Sequence, residues 1–99
     1  MSETISTDWP KATQAYATAP DPTSELEWLT AATVRGREWW LRRAALMDRA
    51  ASGLVPGHVA SSGDAFDLAC HLMAIDGTVV GCNPRAYVRQ QYALWATNH

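Results

Sequence analysis

The sequence predicts an all-α fold: a three-helix domain, one long helix packed by two short helices, behind a flexible N-terminal arm. Two observations predict it. Apolar residues recur at helical spacing over three stretches, the first and third opening on a capping signal, and no stretch alternates apolar and polar residues long enough to require a sheet. Of 99 residues, 47% are hydrophobic and 18% charged, which fits one small globular domain and sets aside disordered and fibrous chains.

Residues 1–23 read as a disordered arm. Ser, Thr, Ala and Pro dominate, and the apolar side chains are too sparse to form a face. Trp9 and Tyr16 stand out, because an isolated aromatic in an arm can anchor a partner or fold back onto its own domain. The stretch has no basic region followed by an apolar run, so neither a secretory leader nor a membrane span is expected, and the expected setting is cytoplasmic. Cys70 and Cys82 give no disulfide framework, which makes the reduced state the expectation.

The helical domain covers residues 24–99. Ser24 with Glu27 three residues on matches a capping box, so the first helix is expected from about Ser24 to Ser52. Trp28, Leu29, Ala32, Trp39, Trp40, Leu46, Met47 and Ala50 gather on one broad side of it. Arg35, Arg42 and Arg49 recur along the flank, with Glu38 placed to pair with Arg35 and Arg42, and read as a solvated face. Gly36 lies within the apolar stripe, marking either a close helix crossing or a break, and the crossing is preferred. Arg43 also falls in the stripe, where it must snorkel to the rim, stack on a tryptophan or meet a carboxylate across an interface.

Pro56-Gly57 signals a turn in the loop that follows. The second helix is expected from about Asp64 to Asp76, with apolar residues around most of its circumference and a narrow polar strip of Asp64, Asp67 and His71; it should be the most buried of the three. Gly77 closes it, Thr78 to Cys82 reads as extended, and Asn83-Pro84 restarts the chain as a third helix to about Thr97. Tyr87, Val88, Gln91, Tyr92, Leu94 and Trp95 should face inward, leaving Arg85, Ala86, Arg89, Gln90 and Ala93 outward.

The chain nominates no catalytic residue, cofactor or metal. His58, Cys70, His71 and Cys82 are possible ligands, but their spacing matches no zinc pattern, and Asp67 with His71 reads as a surface pair. Nucleophile elbows and phosphate-cradling glycine loops are missing from the sequence. The functional expectation therefore comes from surface. A helix from Ser24 to Ser52 would span roughly 43 Å against about 20 Å for each of the others, leaving part of its stripe uncovered. The interface would comprise Trp28, Leu29, Ala32, Gly36, Trp39, Trp40 and Arg43.

Three functions follow in order of preference. The first is a non-enzymatic small helical regulator or adaptor that binds a protein partner, as a homodimer through the first helix. The second is a dimeric DNA-binding regulator whose 84–97 helix reads base edges with Arg85, Arg89 and Gln90. A net charge of −2 and the length of the connection from Gly77 to Asn83 weigh against it. The third is a small ligand-binding or catalytic bundle with a tryptophan-lined pocket.

Overall fold

The computed structural model describes residues 9–78 and 83–98, and within them every regular element is helical. Five helices succeed one another: α1 (Ala12–Ala15), α2 (Pro22–Ala31), α3 (Arg37–Ala51), α4 (Ser62–Asp76) and α5 (Pro84–Thr97). α3, α4 and α5 pack on one another as a three-helix bundle, with α2 laid on α3 and α1 on α5. Leu41, Ala44 and Ala45 meet Ala69, Leu72 and Met73, while Tyr87, Val88 and Tyr92 close the third side. Small alanines at these contacts let the helix axes approach closely.

The all-α class holds, but the single long helix does not exist. It divides at residues 32–36: Ala32 leaves helical geometry at ψ 133, and Gly36 caps α3 with φ −79 and ψ −168. Thr33 and Val34 are β-branched and disfavour a helix here. The carbonyl of Leu29, which Thr33 N–H would take in an unbroken helix, accepts instead from the indole N–H of Trp39 at 2.9 Å. That bond fills one of the acceptors every helix end leaves open, and it draws α2 back onto α3. The close crossing expected at Gly36 is likewise absent, since a Cβ added there would meet nothing within 4 Å. With α3, α4 and α5 at 15, 15 and 14 residues, the bundle is matched in length, and the mismatch that implied an uncovered stripe disappears.

Local signals explain the other boundaries. Asp21, not Ser24, caps α2, its carboxylate accepting from the amides of Thr23 and Ser24 and from the Ser24 hydroxyl, with Pro22 at the first helical position. Ser61 caps α4 by accepting from Asp64 N–H at 3.0 Å, and Gly77 ends it in the left-handed region at φ 66. Asn83 accepts from Ala86 N–H, and Pro84 opens α5, as the sequence predicts. The extended reading of Thr78 to Cys82 falls mostly outside the described residues, as do residues 1–8 of the arm.

The described part of the arm is packed rather than free. Ala15 and Tyr16 are buried, and Trp9, Ala12 and Ala19 lie against the core. Tyr16 meets Tyr92 edge to face at 5.2 Å, so one side chain fixes a segment whose composition alone implies none. α4 is also less buried than expected, because Phe66 and Ile75 are exposed. On α5, Leu94 is exposed and Ala86 buried, a rotation that brings Arg85 and Arg89 to the inner side with Val88 and Tyr92.

The break at Gly36 fixes an order of stabilities. At an N-cap, Gly36→Ser should be more stable than Gly36→Ala by about 1 kcal/mol, because the hydroxyl can accept from a first-turn amide. In a continuous helix the order reverses, alanine being the better helix former. Urea denaturation of the two variants decides between them.

Candidate functional site

The residues proposed to read DNA are committed to the fold. Asp48 is 1% exposed, and its carboxylate accepts from Arg85 Nε at 2.6 Å, Arg89 Nε at 2.7 Å and the Tyr16 hydroxyl at 2.7 Å. Arg85 and Arg89 also reach the Ser52 hydroxyl. Gln90 is half-buried and accepts from Gln91. Arg85 and Arg89 are therefore not a free outward face, and a DNA phosphate or base would have to compete with a buried carboxylate for both. Burial pushes the Asp48 carboxyl up, but the hydrogen bonds from Arg89, Tyr16 and Arg85 outweigh it and hold the group below its ordinary value.

Two further ion pairs run between helices, and a third lies within α3. Glu25, 1% exposed on α2, receives a two-pronged Arg42 at 2.7 and 2.8 Å, and Arg42 also meets Glu38 at 3.0 Å. The same guanidinium lies 3.6 Å from the Trp28 ring centroid, which accounts for one face of that tryptophan. Arg37 grips Asp76, which also accepts from the Tyr87 hydroxyl at 2.6 Å. Arg49, buried on α3, donates to the carbonyl of Pro20. Of the Arg35, Arg42, Arg49 flank read as solvated, Arg42 and Arg49 thus staple the fold, while Arg35 stays exposed.

A groove opens where α2 folds back on α3 and the 54–60 segment passes beside them. One lobe, of about 290 Å³, is lined by Leu26, Leu29, Leu46, Met47, Val55 and Val59 with Arg43 and His58 among them. A second lobe, of about 470 Å³, shares Leu26, Leu29 and Arg43 and adds Arg35, Trp39, Trp40 and Leu68. Leu26 is 52% exposed and Val59 96%, so apolar surface faces solvent along its length. Among the described residues, Arg35 and Arg43 are the arginines with no carboxylate at ion-pairing distance and no hydrogen-bonded carbonyl. Both stand over the Trp39 ring, at 4.7 and 5.6 Å from its centroid.

The expected interface residues divide accordingly. Leu29 and Trp39 are buried within the monomer, as floor and hinge of the groove; Trp40 and Arg43 are half-buried along it; Ala32 and Gly36 belong to the break; Trp28 is 36% exposed on the Arg42 side. Sequence reasoning missed Leu26, Val55 and Val59, whose only signal was apolar character in an unpromising context. Leu26 was off the stripe and the two valines were in a loop.

His71 does not pair with Asp67; its ring packs on Trp40 at 4.2 Å between centroids. Among the described residues, no three His, Cys, Asp or Glu side chains gather as metal ligands, and no buried polar side-chain atom lacks a hydrogen bond. No helix among them is long and apolar enough to cross a membrane. No family model, curated protein or solved structure significantly matches the chain.

Removing both partners from α5 strands a buried charge. Arg85→Ala with Arg89→Ala should cost about 3–5 kcal/mol of stability, while Arg35→Ala should change it by less than about 0.5 kcal/mol. Chemical denaturation monitored by tryptophan fluorescence compares them.

The pH dependence follows from the same contacts. Asp48 and Asp76 lie below their ordinary value of 3.8, Asp76 chiefly through its bond from Arg37. Their stabilisation is complete above the unfolded value and is lost as pH falls from about 5 towards the depressed folded values. Burial, with a carboxylate neighbour in each case, pushes all three tyrosines up, Tyr87 to about 12. Their contribution is intact below the unfolded value near 10 and is lost above it. Phenolate absorbance should therefore rise in one cooperative step coincident with alkaline unfolding; a gradual rise near pH 10 in folded protein would contradict this burial.

Proposed function

We propose that the protein is a non-enzymatic interaction module, a small helical regulator or adaptor that binds a protein partner in the groove between α2, α3 and the 54–60 segment. A single observation carries this reading. Arg35 and Arg43, the arginines without a carboxylate or carbonyl partner among the described residues, both lie in the same exposed apolar groove, while the remaining arginines hold the fold together. Apolar surface rimmed by charge is the composition of a protein-binding site. The open shape and the lack of convergent polar groups favour it over the ligand-binding or catalytic bundle. The nucleic-acid reading loses its support once Arg85 and Arg89 are seen on Asp48.

Capture from the native cell, with protein and nucleic acid both identified, tests the proposal through a variant that leaves the core alone. Leu26→Asp should fold normally and lose a protein that the wild type retains, since burying an unpaired carboxylate in an apolar site is costly. Retention of the same proteins by both forms, or of nucleic acid, would contradict it.

A further inference from the structure

We infer that the groove's partner is a second copy of this chain, joined so that Arg35 and Arg43 of one copy meet Asp64 and Asp67 of the other. The inference rests on the groove being an interaction surface. Its independent support lies on α4. Asp64, Asp67, His71 and Ile75 are exposed, and their spacing puts them on one side of the helix. Neither aspartate has a cation at ion-pairing distance among the described residues. The other exposed carboxylates there are Glu38, held by Arg42, Asp21, occupied in capping α2, and Glu27 on α2, also unpaired. Asp64 is suited to the first turn of α4 by the helix dipole, but Asp67 lies beyond it and has no such local reason.

The acidic side borders the groove. Leu68, one turn from Asp64, lines the second lobe, and His71, one turn from Asp67, packs on Trp40, which lines the same lobe. One continuous surface thus carries a cationic pole, an apolar seam of Leu26, Trp40 and Leu68, and an anionic pole. A two-fold axis through such a seam sets each pole against its opposite, and does so twice. An unrelated acidic partner would satisfy the arginines but leave Asp64 and Asp67 facing water or like charge. A second copy satisfies both poles with what is already present. Ion pairs there would be partly desolvated by the apolar seam, which strengthens them relative to exposed pairs.

The test is a charge exchange read by light scattering across micromolar concentrations, with circular dichroism confirming that each variant is folded. Wild type should be dimeric. Arg43→Glu alone and Asp67→Arg alone should each weaken dimerisation by about tenfold or more, since like charges then face each other twice. Mixing the two variants in equal amounts should restore a dimer of wild-type mass, because both crossed contacts become opposite in sign. An intramolecular pair between Arg43 and Asp67 would not be rescued by mixing, and that result overturns the inference. A wild type that stays monomeric also overturns it, while the protein lost by Leu26→Asp would then identify a different occupant and leave the proposed function standing. Should Leu26→Asp lose nothing and the wild type be monomeric, both readings fail together. If Arg43→Glu does not fold, Arg35→Glu mixed with Asp67→Arg replaces it, and an unrestored dimer counts against the inference.

Discussion

The buried carboxylate of Asp48 is the constraint on which the remainder of the structure depends. It draws its donors from Tyr16, Arg85 and Arg89, which lie 32, 37 and 41 residues away in sequence, so the chain before α2, the last turn of α3 and the start of α5 must converge on one point. A buried charge adds little net stability even when well paired, because desolvation offsets most of the attraction. Its effect is on uniqueness. An arrangement that turns α5 outward leaves a charge unsatisfied in the interior, and one that removes Tyr16 leaves that carboxylate a donor short; such states are excluded more strongly than a loss of apolar contact alone would exclude them.

The Asp48 cluster also explains which parts of the fold could be read from the sequence. Elements closed by local signals were legible: the end of α4 at Gly77 and the start of α5 at Asn83-Pro84 need only neighbouring backbone and one side chain. Arg85 and Arg89 were not, because an arginine looks solvated until its carboxylate is located, and Asp48 reads as one more polar position on an amphipathic helix. The same holds for Tyr16, whose partners are an edge-on ring on α5 and a carboxylate on α3. Composition averages over a segment, whereas one buried phenol is enough to order it.

The break between α2 and α3 was hidden for a different reason. Leu29 and Trp39 both face inward, so the apolar stripe runs through the interruption with no change of period. Periodicity reports which side of a helix is covered and says nothing of whether the cover is another element or the same helix folded back. The information was in Thr33, Val34 and Gly36, each a weak signal against a strong stripe. Arg43, noted as misplaced on an apolar side, was the part of the site that sequence did mark. Val55 and Val59 were not marked, since apolar residues in a loop have no pattern to violate.

The fold-back creates the groove. A continuous helix would lay Leu29 and Trp39 along one surface, and the indole could not reach the Leu29 carbonyl. Once the chain turns at 32–36, that hydrogen bond pins the two arms, and Glu25 on α2 clasps Arg42 on α3 from the other side. Between those two fixings Arg43 lines the angle between the arms, and the charged end of its side chain favours contact with solvent or a counter-charge there. The resulting cleft keeps Leu26 exposed while its neighbours are buried. A chain of this size buries only part of its apolar surface alone, so an uncovered seam is expected somewhere. Here the ion pairs dictate where it lies, and they leave beside it Arg35 and Arg43, which stand over Trp39 and meet no carboxylate among the described residues.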